Sequence, residues 1–153
     1  MLFFVLVALA SGLAYLVQML VMPAADLPFA MAWGLAGGLM FAGVDHLRTP
    51  QRYRPMLPPL VPWPGLVIAF TGLCEIAGAV GLVLPPTRLL AGWMLALYFV
   101  CVFPANIRNA IQGLAVDGLP GARWYYWLRL PFQPLIIWWA LFAVGITRWP
   151  FAG

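Results

Sequence analysis

Five apolar segments follow one another along the chain, separated by short polar or proline-rich breaks. They cover residues 2–22, 27–44, 65–84, 89–103 and 128–147. An α-helix rises about 1.5 Å per residue, so about 20 apolar residues cross the hydrocarbon core of a bilayer. The segment from residue 89 must continue past Pro104 to reach that length, and we expect a kink there. The pattern predicts an all-α, polytopic transmembrane helix bundle forming a single membrane domain.

The composition supports the same fold class and excludes several functions. Of 153 residues, 65% are hydrophobic and 8% are charged, which would leave broad apolar patches on a water-soluble domain of this size. The net charge of +4 comes from scattered arginines, so the chain lacks the basic stripe of a nucleic-acid binder. One histidine and the separated Cys74 and Cys101 cannot complete a tetrahedral metal site, and we predict none.

Arginine placement predicts the orientation of the bundle. One side carries Arg48, Arg52, Arg54, Arg108, Arg123 and Arg129, and the other carries Arg88 and Arg148. Cytoplasmic loops of membrane proteins are enriched in arginine and lysine. The asymmetry therefore predicts a cytoplasmic N-terminus and an external C-terminus.

The residue that fits its surroundings least is Glu75. It lies ten positions after Gly65, near the middle of the third apolar segment. A charged carboxylate at that depth costs several kcal/mol unless it is paired, so such residues usually face the bundle interior and mark functional sites. The alternative is a buried hydrogen bond that fixes the register of the helices.

Four further polar residues are predicted on the arginine-rich side. His46 ends the second segment, Asn106 follows the fourth, and Arg129 and Gln133 enter the fifth on one helix face. We expect them to line a pocket with Glu75, and Arg129 to be the cation that approaches the carboxylate. In this interpretation Glu75 and His46 are the catalytic, proton-handling pair, and the other three bind a ligand. Each also fits a role as a helix cap or interfacial anchor, and Asp45 fits one as the partner of a nearby arginine.

Small residues at four-residue spacing indicate where helices approach closely. Gly34 and Gly38 form one such pair, and Ala77 and Gly81 form another.

Five short motifs occur in order along the chain. Residues 43–46 read G-x-x-H, 72–75 read G-x-x-E, 81–88 resemble a G-L-x-L-x-P-x-T-R turn, 103–106 read F-P-A-N and 129–133 read R-L-P-x-Q. Over residues 33–145 this order resembles the DoxX family of small bacterial membrane proteins. The chain departs from the family at Leu47, where an aromatic residue is usual, and in its first apolar segment, which is additional to the usual four helices.

The resemblance implies a four-helix core over residues 27–153, with residues 1–26 as an additional N-terminal transmembrane helix. It also implies a bacterial cytoplasmic membrane and an association with quinone-linked or sulfur metabolism. No covalently bound cofactor is expected.

Three functions fit these observations. The first is a quinone-interacting or redox-linked membrane subunit, with a membrane quinone as the ligand and an oxidoreductase subunit or a second copy of the chain as partner. The second is a small proton-coupled transporter that uses Glu75. The third is an accessory subunit without chemistry, in which the polar cluster holds the helices together. The sequence does not decide whether the protein is an enzyme.

Overall fold

The computed structural model describes residues 2–113 and 123–150, and these are helical without a strand. The helices are α1 (Leu2–Val21), α2 (Leu27–Arg48), α3 (Pro50–Tyr53), α4 (Pro64–Val83), α5 (Arg88–Gln112), α6 (Arg123–Arg129) and α7 (Phe132–Ala143). A short 3₁₀ turn, Arg54–Met56, follows α3. Four helices, α1, α2, α4 and α5, are long and apolar enough to cross a membrane. The predicted all-helical fold is confirmed, and the four helices fit a membrane protein.

Proline and capping residues explain where several helices begin. Asp26 caps α2 by accepting a hydrogen bond from the Phe29 N–H at 3.2 Å. Pro50 and Pro64 stand in the first turns of α3 and α4, where a missing N–H costs no helical hydrogen bond. The five prolines between residues 55 and 64 prevent a continuous helix there, as the sequence predicts.

The two predictions that involve later prolines have opposite outcomes. The helix from residue 88 does continue past Pro104, since α5 runs for 25 residues to Gln112. The predicted fifth membrane helix over residues 128–147 is wrong, because the chain breaks between α6 and α7 at Leu130 and Pro131. Pro131 has no N–H to extend α6. The 12 residues of α7 span about 18 Å, which is shorter than a bilayer core of about 30 Å.

Helix α2 lies at the centre and packs against α1, α4 and α7, while α5 packs against α4, α6 and α7. Gly34 and Gly38 face α1, where an added Cβ would overlap Ser11 and Val7 respectively, so this predicted close approach is confirmed. The second predicted pair is wrong in one member. Ala77 is exposed, and Gly78 and Gly81 are the residues that lie against α5.

The outer faces of the helices are strongly apolar. On α1, Leu9 is 67% exposed and Leu20 is 84% exposed. Leucine side chains in such numbers on the outside of a small bundle are typical of contact with lipid rather than water.

The helices alternate in direction and create two ends. We call the end formed by residues 46–64 and the last turns of α5 the arginine-rich end. Arg108 joins these two parts by donating to the carbonyl oxygens of Pro55, Met56 and Leu57, the last at 2.8 Å. The opposite end consists of residues 22–26, 84–88 and 144–150. The predicted loop that carries Arg123 lies partly outside the described residues.

Candidate functional site

The site is built where α2 and α4 cross in direct backbone contact. A Cβ added to Gly43 would lie 2.6 Å from the Gly72 carbonyl oxygen, and one added to Gly72 would lie 2.9 Å from the Gly43 carbonyl oxygen. The contact is reciprocal, because Glu75 lies over Gly43 and His46 lies over Gly72. Only glycine allows this approach, which brings a residue near the end of α2 beside one in the middle of α4.

Glu75 is buried in this crossing, with 7% of its surface exposed. Its Oε1 accepts a hydrogen bond from the Tyr98 hydroxyl on α5 at 2.9 Å. Its Oε2 lies 2.8 Å from Nδ1 of His46. The carboxyl group therefore connects three helices, and the structure brings together the two residues predicted to handle protons.

The surroundings of His46 Nδ1 define its protonation. This nitrogen lies 2.9 Å from the Ala42 carbonyl oxygen as well as 2.8 Å from Glu75 Oε2. Since both neighbours are acceptors, Nδ1 carries the hydrogen. The hydrogen bond to Ala42 is aligned, whereas Oε2 is buried without an aligned donor among the described residues. One N–H is therefore shared unequally, and its second acceptor is incompletely satisfied.

A second polar layer supports the imidazole from the arginine-rich end. The Tyr53 ring stacks on His46 with centroids 3.8 Å apart, and the Tyr53 hydroxyl donates to Asp45. Asp45 also accepts from Thr49 at 2.9 Å and from Arg52 at 2.7 Å, so the predicted pairing of Asp45 with an arginine is confirmed. Burial and the Asp45 carboxylate raise the pKa of the Tyr53 hydroxyl well above its ordinary value, so it stays protonated and donates.

A cavity of about 230 Å³ opens beside His46 at the arginine-rich end. Its polar lining residues are His46, Gln51 and Arg54, and the N-terminal part of α4 supplies apolar walls. The second ring nitrogen of His46, Nε2, has no partner among the described residues. The arrangement thus combines a mostly buried carboxylate, an imidazole in contact with it, and space for water on the side of that imidazole.

The predicted ligand-binding amides lie elsewhere, between α5 and α7. Asn106 Nδ2 donates to Gln133 Oε1 at 3.1 Å, and Gln133 Nε2 donates to the Phe99 carbonyl oxygen at 2.6 Å. We call these three groups the amide contact; its hydrogen bonds are made within the protein.

Arg129 does not approach Glu75. Its guanidinium group lies 6.0 Å from the centre of the Tyr125 ring, one turn earlier on α6. Among the described residues, the titratable group in contact with Glu75 is the His46 imidazole, so the expected Arg129–Glu75 pairing is wrong. The break before Pro131 separates Arg129 from α7, which explains why this residue and Gln133 do not share one helix face.

Sequence reasoning missed two members of the site, Tyr98 and Tyr53. Tyr98 had a usable signal, because a hydroxyl group in the middle of an apolar segment needs an acceptor. Tyr53 had none, since its contact with His46 depends on the turn between α2 and α3. Within residues 2–113 and 123–150, no group of three or more His, Cys, Asp or Glu side chains is arranged to hold a metal ion.

Comparison with known proteins corrects the family assignment. The resemblance to the DoxX family is wrong, because the family model that matches is a different one and no DoxX match is found. No curated protein matches the chain, and no solved structure matches it. The match covers residues 35–144, which include α4, α5 and the Glu75 site. The chain belongs to the family described as domain of unknown function DUF8561.

Proposed function

We propose that this chain is a proton-coupled membrane protein in which the His46–Glu75 pair takes up a proton at the arginine-rich end and passes it toward the opposite end. The observation that carries the proposal is the pairing of a buried carboxylate with the chain's single histidine beside a cavity. Ionisable groups inside membrane proteins are expensive and commonly mark proton pathways. Histidine is suited to the task because its charge changes near neutral pH.

The proton step follows from the two ring nitrogens. Nδ1 keeps its hydrogen toward Ala42 and Glu75, while a proton from water in the cavity adds to Nε2. Uptake converts a pair of net charge −1 into an imidazolium and a carboxylate of net charge zero. The neutral pair is less costly to hold or move within an apolar bundle. Release of the Nε2 proton toward the opposite end completes the transfer, and Tyr98 keeps Glu75 Oε1 in place throughout.

The packing beyond Glu75 supports access from one end only. Ala79 and Leu82 continue the same face of α4 toward the opposite end, and Leu95 of α5 packs with them in the buried core. Passage of a proton or solute across the membrane therefore requires α4 and α5 to separate. The apolar outer faces of this small bundle leave room for a second copy of the chain, which would help to enclose a pathway.

The predicted orientation gives the proposal a direction. With the arginine-rich end in the cytoplasm of a bacterial cell, the site would load from the cytoplasmic side of the inner membrane. The quinone and oxidoreductase expectation stays a prediction. It drew on the DoxX resemblance, and the amides expected to bind a quinone donate to Gln133 and Phe99 instead.

Proton flux into liposomes tests the proposal. Purified protein is reconstituted with an internal pH-sensitive dye, and an imposed pH gradient drives the flux. We expect the wild type to exceed protein-free liposomes. Glu75→Gln should reduce the rate by about tenfold or more, because an amide cannot stabilise the imidazolium.

Asp26→Asn is the matched control, since it makes the same carboxyl-to-amide change at the opposite end and should leave the flux unchanged. Correct folding of each variant is checked by helix content and by monodispersity in detergent. A wild-type rate equal to that of protein-free liposomes, or a full rate in both Glu75→Gln and His46→Gln, would contradict the proposal.

The reciprocal packing of the site favours one alternative, an accessory subunit in which Glu75 and His46 only join α2 to α4. In that case Glu75→Gln would lower thermal stability, and the wild type would show no proton flux.

A further inference from the structure

The opposite end of the bundle carries a larger cavity that the His46–Glu75 site does not use. Its volume is about 530 Å³, within the range of about 300–1,000 Å³ found for small-molecule sites. Its walls come from the start of α2, the start of α5 and the segment after α7. We propose that this cavity binds the headgroup of an anionic phospholipid.

Two arginines from different elements give the cavity its charge. The Arg88 guanidinium lies 5.3 Å from the centre of the Phe29 ring, and its Nε donates to the Leu82 carbonyl oxygen at 2.9 Å. These contacts fix the group in place while leaving other N–H donors for a ligand. Arg148 is exposed and has no hydrogen bond or ion pair in the part of the chain that the structure describes.

The acid in the cavity does not cancel this charge. Asp26 is the carboxylate among the lining residues, and one of its oxygens is used to cap α2. The lining therefore keeps a formal charge of +1, from two arginines and one aspartate. The N-terminal ends of α2 and α5 add partial positive charge in the same place, and the single C-terminal end of α7 offsets part of it. The cavity thus favours an anion, and paired arginine donors suit a phosphate group.

The remaining walls favour a lipid over a free anion. Phe29, Phe142 and Val144 supply apolar surface beside the two guanidinium groups. The cavity lies where four membrane-length helices begin or end, at the depth of the headgroups. A ligand with a phosphate and an attached acyl chain uses both parts of the lining, whereas inorganic phosphate uses only one.

Lipid binding to the delipidated protein tests the inference. Native mass spectrometry gives apparent dissociation constants for phosphatidylglycerol and for phosphatidylcholine with the same acyl chains. We expect phosphatidylglycerol to bind more tightly, and Arg148→Gln to weaken it by about tenfold through loss of one charged contact. Arg148→Lys should retain most of the affinity. Arg148 is the residue to change because Arg88 also holds backbone carbonyls of α4.

Arg48→Gln is the matched control, an exposed arginine at the arginine-rich end, and should leave lipid affinity unchanged. Equal affinity for the two lipids, or equal weakening by the Arg148 and Arg48 variants, would overturn the inference. Displacement of the lipid by inorganic phosphate at equal concentration would also overturn it, because the apolar walls would then contribute nothing. None of these results depends on proton flux, so this inference and the proposed function fail separately.

Discussion

The Glu75 site and the amide contact place polar side chains at comparable depth in one bundle, yet they are satisfied differently. In the amide contact, Gln133 bonds to Asn106 and to the Phe99 carbonyl oxygen. In the Glu75 site, Oε2 shares an N–H that is aligned with Ala42. His46 of the Glu75 site also borders a cavity of about 230 Å³.

The difference separates a structural polar contact from one able to react. A fully hydrogen-bonded network in a low-dielectric interior holds one arrangement, and changing it leaves buried groups unpaired. In the proposed function, the incompletely satisfied carboxylate of Glu75 and the titratable ring of His46 pass between two charge states. The cost of burying polar groups does not by itself distinguish the two regions, whereas the completeness of their hydrogen bonding does.

The largest expected effect comes from the glycine crossing that holds the Glu75 site together. A Cβ at Gly43 would stand 2.6 Å from the Gly72 carbonyl oxygen and 2.7 Å from a side-chain carbon of Ile76. We expect Gly43→Ala to lower the free energy of unfolding by about 3 kcal/mol, since neither neighbour can move without separating α2 from α4. Unfolding in a denaturing detergent series measures the change.

Gly37→Ala is the matched control on the same helix, because an added Cβ there meets nothing within 4 Å. It should stabilise the protein by about 0.5–1 kcal/mol, the usual gain when glycine is replaced within a helix. Equal stability of the two variants would show that the crossing is loose and that His46 and Glu75 are not held together by it.

A smaller effect is expected at the amide contact. Gln133→Leu removes the side-chain donor to the Phe99 carbonyl oxygen and the acceptor for Asn106, so two buried or partly buried hydrogen bonds are lost. The expected cost is about 2 kcal/mol of unfolding free energy, with proton flux unchanged in the folded fraction. Glu75→Gln should show the reverse, with a smaller loss of stability and a large loss of flux. Loss of flux in Gln133→Leu would remove the distinction between the two regions.

The helices and their approximate bounds could be predicted from the sequence because apolar length and proline placement act locally. The start of α2 at Leu27 and the continuation of α5 past Pro104 follow from such signals. The break before α7 could not be foreseen from hydropathy alone, because residues 128–147 are mostly apolar, with Arg129 and Gln133 near their start. Pro131 and Pro134 indicate the break, because their missing N–H groups interrupt the helical hydrogen bonds despite the high mean hydropathy of the segment.

The sequence predicted that Glu75 and His46 belong to the candidate site, but not that they pair with each other. The cost of burying a carboxylate singled out Glu75, and the position at the end of the second segment singled out His46. Hydropathy does not show how each helix is rotated about its axis, so it could not choose between His46 and Arg129 as the partner of Glu75. The backbone contact between Gly43 and Gly72 places His46, and not Arg129, beside Glu75. Gly43 and Gly72 each stand three residues before the polar residue, so the G-x-x-H and G-x-x-E motifs describe this crossing.

The smallest expected effect concerns the layer that supports His46. Tyr53→Phe keeps the ring that stacks on His46 but removes the hydroxyl that donates to Asp45, which retains Thr49 and Arg52. We expect Tyr53→Phe to lower the free energy of unfolding by about 1 kcal/mol and to change the proton flux little.

Because the folded-state pKa of Tyr53 is raised, the contribution of its hydroxyl to stability is complete below about pH 10, the ordinary tyrosine value, and declines as pH rises from there. The stability difference between wild type and variant should therefore be constant from about pH 7 to about pH 9 and shrink in more alkaline buffer. A stability difference that changed between about pH 7 and about pH 9, or a loss of flux as large as that of Glu75→Gln, would place Tyr53 within the proton-binding group rather than beneath it.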